Sequence, residues 1–471
     1  MSTSADQSFL WNSRTARHLL VRAGFGTSPK AIQTATDIGL DKTVGALLGT
    51  LGDIALPSYN WEDEVNAFDP QAFRKLSREE KQAWNRKNRQ WTEEMLEGLV
   101  EHLIMAPTIA AALHNRMLIF WHGLFATENQ KVKSLALIHK QIRFLNTNAL
   151  GSYKDLLHGI IRDPAMLRYL DNNVNTKRKP NENLAREIME LFALGQGNYT
   201  ESDIKEGARA LTGYSMRGAE FNFRRWAHDS SSKTIFGQTG NFDGDDFVDL
   251  ILKHPACSRY VATRLWRYFA GENAPLDAVT DLHDVLRTHD YAIKPFLSAM
   301  FRHPAFFSET VMGQQIKSPI YFVASTARTL GLATTNPRIY TAALKQMGQM
   351  PYAPPNVKGW PDGRSWIDTS RLIARLSFAE LLVVGEPPRD MMRMMGAQQF
   401  KFQIDPFTVI GEGEAADQVR HAADLLLANP LSQSELDELL ATYTSHRPEG
   451  RDQAARKLIG AIMQLPHFQL T

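Results

Sequence analysis

Helical periodicity is the feature that most constrains this chain, because apolar residues recur every three or four positions along most of its 471 residues. Such spacing is typical of amphipathic helices packed around a common core. Residues 220–225 differ, since polar and apolar residues alternate there with Phe221 and Phe223 on one side, which predicts a short strand or hairpin. We therefore predict a mainly α fold: a large multi-helical assembly with a small β-hairpin element.

Changes in composition predict the domain limits. Residues 1–384 are expected to form the main helical body, 385–413 a looser linker, and 414–471 C-terminal helices packed on the body. Within the body, residues 348–366 are rich in proline, glycine and aromatic residues and predict a rigid, extended loop around Trp360, which we call the Trp360 loop. Such a loop could bind a sugar or a peptide, but more often it is a packed cap.

Composition argues against several classes of function. The chain has 53 basic and 51 acidic residues, a balance that predicts neither nucleic-acid binding nor attraction to anionic membranes. A single cysteine, Cys257, excludes an internal disulfide and a thiolate cluster, so a metal would need nitrogen and oxygen ligands. Residues 1–11 lack an apolar signal-peptide core and no segment is long and apolar enough to span a bilayer, which predicts a cytoplasmic protein without a membrane span.

The segment from Asn181 to Gly195 carries more acid than a buried helix should. Asn181 is expected to cap this helix and Gly195 to end it. Apolar side chains take most of its circumference, which predicts burial, yet Glu187 and Glu190 lie on it one turn apart. A buried carboxylate must be neutral, paired with a cation or bound to a metal. The arginines that could pair with these acids are Arg143, Arg162, Arg186 and Arg209.

Two further segments could meet these acids. His122 shares an apolar helical face with His114, where a histidine is usually a satisfied core residue rather than a ligand. His228 and Asp229 follow the predicted strand, where both could face a metal or the aspartate could cap a turn. Two carboxylates with one or two imidazoles would suit iron, manganese or zinc, although the spacing is not that of a Glu-x-x-His di-iron motif. The predicted metal ligands are Glu187, Glu190, His228 and Asp229, with His122 as a catalytic proton carrier or a further ligand.

Several ordered motifs give the chain a family resemblance. The motifs extend from about Leu10 to Leu470. With them the chain resembles the DUF1800 proteins, a bacterial family of unknown function with a predominantly helical fold. The genes of that family often lie beside those of the DUF1501 family, which resembles sulfatases and alkaline phosphatases and is commonly exported. The motifs include Phe120-Trp121-His122-Gly123, Asn181-Glu182-Asn183, His228-Asp229 and Pro354-Pro355-Asn356-Val357-Lys358-Gly359-Trp360.

The candidate residues, taken together with the resemblance, lead to two alternative functions. The first is a metal-dependent enzyme, an oxidoreductase or a hydrolase, that uses a divalent or iron-type metal ion and acts with a DUF1501-type partner. The alternative is a non-catalytic partner or chaperone of an exported phosphatase- or sulfatase-like protein, which presents the Trp360 loop and uses Glu187 and Glu190 structurally. Many DUF1800 members carry export signals and none is recognisable in this sequence, so we expect either a cytoplasmic protein or export to the periplasm with a partner.

Overall fold

The predicted mainly α fold is confirmed. A computed structural model of the chain describes residues 9–52, 54–66, 70–332, 337–384 and 404–471. Within those ranges the structure is 65% helical, with 24 α-helices and two small antiparallel sheets of two strands each.

The described chain contains 24 α-helices and four strands. The first twelve helices are α1 (Ser13–Ala23), α2 (Pro29–Ile38), α3 (Leu40–Leu47), α4 (Glu62–Asn66), α5 (Pro70–Lys75), α6 (Arg78–Ile104), α7 (Ile109–Leu124), α8 (Asn129–Val132), α9 (Leu135–Thr147), α10 (Tyr153–Ile160), α11 (Pro164–Tyr169) and α12 (Asn183–Glu187). The others are α13 (Glu201–Ala210), α14 (Gly244–Lys253), α15 (Pro255–Ala270), α16 (Asp277–Thr288), α17 (Ile293–Met300), α18 (Pro319–Thr329), α19 (Arg338–Met347), α20 (Thr369–Val384), α21 (Pro406–Ile410), α22 (Ala415–Leu426), α23 (Gln433–His446) and α24 (Arg451–Gln464). The strands are β1 (Tyr214–Arg217), β2 (Glu220–Phe223), β3 (Lys233–Ile235) and β4 (Gln238–Gly240).

Local sequence explains where many helices begin. Thr200 accepts a hydrogen bond from the backbone of Asp203 while the Asp203 side chain accepts from the backbone of Thr200, so α13 starts with the capping box that its sequence predicts. Asp243 caps α14 in the same way. Proline occupies the first position of α2, α11, α15 and α18, where its missing N–H is not needed.

Helix α7 runs through the core. All of its residues except Ile109 and Gly123 are buried. Trp121 is fully buried, donates its indole N–H to the carbonyl of Ala149 at 2.9 Å and stacks on Tyr153. A helix surrounded in this way is held rigidly, and it fixes the positions of the polar side chains that it carries.

The β structure consists of two hairpins. In the first, β1 pairs antiparallel with β2, with Tyr214 opposite Phe223, which confirms the short strand or hairpin predicted at residues 220–225. The second hairpin, β3 with β4, is not among the elements predicted from the sequence. Its strands have three residues each, too few to show a two-residue period, and α13 side chains hold it: Asp203 accepts from the Phe236 N–H at 2.7 Å.

The C-terminal helices contact the rest of the chain directly. The Arg456 guanidinium donates to the carbonyls of Val383 and Ile404 at 2.9 and 3.0 Å, and Thr471 N donates to Gln315 O at 2.8 Å. Residues 385–403 of the predicted linker lie outside the described residues, so the division into three parts stays a prediction. In the described part of the chain, no helix combines the length and the apolar composition that crossing a membrane requires.

Candidate functional site

The acidic segment is not one uninterrupted α-helix. Residues Asn183–Glu187 are α-helical, and Ile188–Ala193 form a π-helical turn. Leu194 N donates to Met189 O, five residues back, at 2.9 Å. The wider turn changes which side chains share a face, so a wheel drawn at 3.6 residues per turn does not describe this segment. Turns of this kind are rare and recur at functional sites.

Two tyrosines hold the end of the π turn against the core. The Tyr153 hydroxyl donates to the Phe192 carbonyl at 2.8 Å, and the Tyr260 hydroxyl donates to the Leu191 carbonyl at 2.5 Å. Burial of Tyr153 raises its pKa well above the usual range, so this hydroxyl keeps its proton and remains a donor. Gly195 ends the segment with φ of 77°, which confirms the predicted left-handed end.

Glu187 and Glu190 lie at the partly exposed edge of this segment, which corrects the prediction that they are buried inside it. The Glu190 carboxylate accepts from Gln196 Nε2 at 2.6 Å and from the Tyr199 hydroxyl at 3.1 Å. The Glu187 carboxylate takes part in no hydrogen bond or ion pair with another described residue. Partial burial and the neighbouring Glu190 raise the pKa of Glu187, against the opposing charge of Lys358.

The four candidate arginines pair with other acids. Their guanidinium groups are engaged elsewhere, so among the described residues the buried salt bridge offered as the structural alternative for Glu187 and Glu190 is not observed. The pairs are Arg143 with Glu62 at 2.9 Å, Arg162 with Asp245, Arg186 with Glu201 at 2.8 Å and with Glu182 at 3.0 Å, and Arg209 with Asp229 at 2.7 Å.

His228 and Asp229 hold the first hairpin to the preceding helix. Asp229 Oδ2 accepts from Arg209 Nε at 2.7 Å and its Oδ1 accepts from Ser231 N at 2.9 Å, the turn-capping arrangement that the sequence leaves open. Partial burial acts in the opposite direction, but the hydrogen bonds from Arg209 and Ser231 hold the pKa of Asp229 well below its usual range. His228 Nδ1 lies 2.9 Å from the Thr212 carbonyl oxygen and donates a hydrogen bond to it.

The four predicted metal ligands thus have different partners. Glu187 ends α12 and Glu190 lies in the π turn that follows it, whereas His228 and Asp229 are bound to the end of α13. His228 alone has the orienting hydrogen bond to a carbonyl that metal-bound histidines usually show. Within the described ranges, no three or more His, Cys, Asp or Glu side chains are placed to hold a metal ion. A four-ligand metal centre, with its divalent or iron-type ion, stays a prediction.

We expect Glu187→Gln to fold and to raise the free energy of unfolding slightly at neutral pH, by less than about 1 kcal/mol because the group is partly exposed. A raised pKa means that the carboxylate charge opposes folding once the pH exceeds the pKa of the unfolded chain, and glutamine removes that charge. Urea denaturation at about pH 4 and about pH 7 should show the gain only at the higher pH. A less stable variant would contradict this expectation. Stoichiometric metal in the wild type that is lost in the variant would instead support the predicted metal centre.

His122 is almost completely enclosed, with 1% of its surface exposed. Its Nε2 accepts a hydrogen bond from the backbone N–H of Tyr352 at 2.9 Å, and burial lowers the pKa of the imidazole to about 3. The ring is therefore neutral at physiological pH, with its proton on Nδ1. Tyr352 has a φ of 63°, an unfavourable value for a bulky residue, and this hydrogen bond helps to hold it there. The catalytic role of His122 stays a prediction.

The Trp360 loop packs on the end of α7 as a cap. The Trp360 ring meets the His122 ring edge-on with 4.9 Å between centroids. Gly359 has a φ of 83°, and a Cβ on it would overlap with the carbonyl oxygen of Gly123. Only glycine allows two backbones to approach so closely in this conformation. The loop also carries Lys358, whose charge acts on Glu187 and so connects this loop with the acidic segment.

A cleft of about 530 Å³ opens beside the Trp360 loop. Its walls include Arg116 and Gly123 of α7, Tyr268 of α15, Tyr321 of α18 and Trp360. A cleft of this volume is within the range of small-molecule sites. Because Trp360 is held by the contact with His122, the packing of the loop determines the shape of one wall.

Arg116 is a buried cation without an acidic partner. Only 3% of its surface is exposed, its Nε has no hydrogen-bond partner, and it forms no ion pair within the described ranges. Its guanidinium carbon lies 4.4 Å from the centre of the Tyr268 ring and 4.8 Å from that of Tyr321. Cation–π contacts of this kind offset part of the cost of desolvation, but they do not neutralise the charge.

The lining of the cleft is rich in cations. None of its basic side chains forms an ion pair among the residues that the structure describes. Burial and the charges of Arg17 and Arg375 lower the pKa of Lys317, so the arginines carry most of the positive charge. The charged residues of the lining are Arg116, Arg264, Arg267, Lys317 and Arg364 against Glu272 and Asp362.

None of these arginines is among the site residues predicted from the sequence. Arg116 nevertheless stands out in the sequence, since it directly precedes the apolar run from Met117 to Trp121, where a charged residue is as anomalous as the two glutamates. Arg264 and Arg267 lie on α15 with ordinary helical spacing, and nothing in the sequence marks them.

Comparison with known proteins places the chain in a family. A family model described as "Protein of unknown function (DUF1800)" matches residues 18–470. No curated protein and no solved structure matches the chain significantly. Because the matched residues cover nearly the whole sequence, the chain belongs to the DUF1800 family.

Proposed function

We propose that this protein binds an anionic small molecule, one that carries a phosphate, sulfate or carboxylate group, in the cleft beside the Trp360 loop. The observation that carries the proposal is Arg116, a buried guanidinium with no acidic partner among the described residues, in the wall of a cleft large enough for a ligand. An unpaired buried charge is expensive, and such charges persist in proteins where something else compensates them. An anion in the cleft would be that compensation.

The chemistry of the lining suits an oxyanion. Guanidinium groups present several N–H donors in one plane and bind carboxylate, phosphate or sulfate through two parallel hydrogen bonds. Arg264 and Arg267 on α15 add positive charge near the opening, where it would attract anions from solution. Tyr268 and Trp360 supply aromatic surface for the uncharged part of a ligand.

Anion binding is compatible with both functions predicted from the sequence. A metal-dependent oxidoreductase or hydrolase acting with a DUF1501-type partner could take an anionic substrate in this cleft, and a non-catalytic partner could carry an anionic ligand. Our proposal is limited to binding, because the observation that supports it is the unpaired Arg116 charge and not a reacting group. The enzyme and the DUF1501-type partner stay predictions.

We expect phosphate, sulfate or malonate to raise the melting temperature of the wild type above its value in chloride at equal ionic strength. The reason is that a ligand that binds only the folded state stabilises it, by about 2.7 kcal/mol at a concentration of 100 times Kd. The double variant Arg264→Gln/Arg267→Gln should fold, because both side chains reach solvent, and should lose most of this rise. Isothermal titration calorimetry with the best of the three anions would give the stoichiometry.

A control variant and a third test variant make this experiment specific. Lys30→Gln/Lys42→Gln removes the same charge from exposed lysines outside the cleft lining and should keep the full effect of the anion. Arg116→Met keeps the length and apolar character of the side chain and should abolish binding in a folded protein. The proposal is overturned if none of the three anions acts beyond chloride, or if both double variants respond alike.

A further inference from the structure

Two large apolar side chains stand exposed in a basic environment away from the cleft. Trp226 is 70% exposed and Val174 is 62% exposed. They belong to two loops, residues 172–180 and 224–227, that also carry five cations. We call the group of these seven residues the Trp226 surface: Val174, Lys177, Arg178, Lys179, Arg224, Arg225 and Trp226.

Direct hydrogen bonds tie the two loops together. Lys177 N donates to the Ala227 carbonyl at 2.8 Å, and the Arg224 guanidinium donates to the Asn173 carbonyl. The surface is therefore one continuous patch assembled from distant parts of the sequence.

Buried amides make this patch rigid. Asn175 is 2% exposed, and its Nδ2 donates to Asn172 Oδ1 and to the Ala208 carbonyl, both at 3.0 Å. Asn172 is 1% exposed and donates to the Tyr214 carbonyl at 2.9 Å. Because the backbone beneath the patch is held in this way, the two loops lose little backbone freedom when they bind a partner.

The positive charge of this surface is not cancelled by neighbouring acids. Within the described residues, none of its five basic side chains forms an ion pair. The acids nearest to it in the sequence are already paired with other cations: Asp171 with Lys131, Glu182 with Arg186, Glu220 with Lys140 and Asp229 with Arg209.

We propose that the Trp226 surface docks on an anionic lipid membrane. Tryptophan prefers the boundary between headgroups and acyl chains, where the ring is buried and the indole N–H stays hydrated. Lysine and arginine close to such a boundary attract the phosphates of anionic lipids, and the attraction adds with each cation. The nearly even charge of the whole chain conceals this local cluster. The attachment is peripheral, by two apolar side chains and five cations.

The shape of the surface favours a membrane over an acidic protein segment. Val174 and Trp226 project from loops with 62% and 70% of their surface in solvent. An apolar side chain that projects in this way can insert into the headgroup region of a lipid bilayer. A peptide partner would instead be bound in a groove that encloses the side chains of the peptide.

Sedimentation with lipid vesicles tests this proposal. We expect the full-length protein to sediment with vesicles of phosphatidylcholine that contain about 30% phosphatidylserine, and not with pure phosphatidylcholine, because the cations require lipid charge. Salt at about 0.5 M should release most of the protein. Arg178→Glu/Lys179→Glu should lower the bound fraction at least about fivefold, and Trp226→Ala should lower it at least about threefold. Trp226→Phe should restore part of the binding.

Matched variants separate docking from general charge effects. Lys30→Glu/Lys42→Glu changes the net charge equally at other exposed lysines, and Ile373→Ala removes another apolar side chain that is 59% exposed; both should bind as the wild type does. The proposal is overturned if the wild type does not sediment with the anionic vesicles, or if the control variants lose as much binding. Binding of polyglutamate or a single-stranded oligonucleotide through Trp226, with no vesicle binding, would assign the surface to another partner and equally overturn it.

Discussion

Replacing Gly359 by alanine is expected to destabilise the protein by more than about 3 kcal/mol and to detach the Trp360 loop from α7. Gly359 has a φ of 83°, where alanine pays a conformational cost, and its Cβ would overlap with a backbone oxygen of Gly123. That oxygen belongs to a rigid buried helix and cannot move aside as a flexible side chain could. Urea denaturation of wild type and variant measures the difference.

Gly197→Ala is the matched control for this variant. Gly197 has nearly the same φ, 86°, but nothing lies within 4 Å of a Cβ there, so it should cost only about 1 kcal/mol. The difference between the two losses of unfolding free energy measures the cost of placing a Cβ against the backbone of Gly123. Equal losses would show that the backbone contact has no special role. Because the Trp360 loop forms a wall of the cleft, Gly359→Ala should also lose the stabilisation by anions that we expect in the wild type.

The helical part of this fold was accessible from sequence because its causes are local. Apolar spacing identifies the buried faces, and capping residues such as Thr200 and Asp243 set where helices begin. The π turn after Glu187 was not accessible in this way. Hydroxyls of Tyr153 and Tyr260, from other helices, satisfy carbonyls at its end, and such distant partners leave no mark in the local sequence. The error about the buried acids follows from that, since a helical wheel assumes a uniform turn.

The candidate site shows the same limit. Asp229 beside His228 was open to two interpretations, and only the position of Arg209, 20 residues earlier, shows that the aspartate is held in an ion pair. Arg116 is the opposite case, since a cation inside an apolar helix can be recognised from sequence by the reasoning applied to Glu187. The sequence does not reveal that Arg116 lacks an acidic partner among the described residues, because that depends on how α15 and α18 pack against α7.

Substitutions at His122 are expected to show that its Nε2 acts as a hydrogen-bond acceptor for the loop. The Oε1 atom of glutamine can occupy the place of Nε2, whereas the shorter asparagine reaches only the place of Nδ1. We therefore expect His122→Gln to lose less than about 1 kcal/mol at neutral pH, and His122→Asn to lose about 2–3 kcal/mol because the buried Tyr352 N–H is left unpaired. Equal losses in the two variants would contradict an acceptor role.

The pH dependence of stability in the wild type and in His122→Gln tests independently whether burial keeps the His122 ring neutral. Burial lowers the pKa of His122 to about 3, whereas a histidine in the unfolded chain has a pKa of about 6.5. At a pH between these two pKa values, only the unfolded chain takes up the proton. The contribution of His122 to stability is therefore complete above about pH 6.5 and is lost as the pH falls, by about 3 kcal/mol at pH 4. Glutamine has no such proton, and every other titrating group is shared by the two proteins. We expect their stabilities to cross, with wild type the more stable at about pH 7 and His122→Gln the more stable at about pH 4. If urea denaturation shows the same difference at both pH values, the imidazole is not held neutral by burial, and a protonated His122 available for proton transfer regains support.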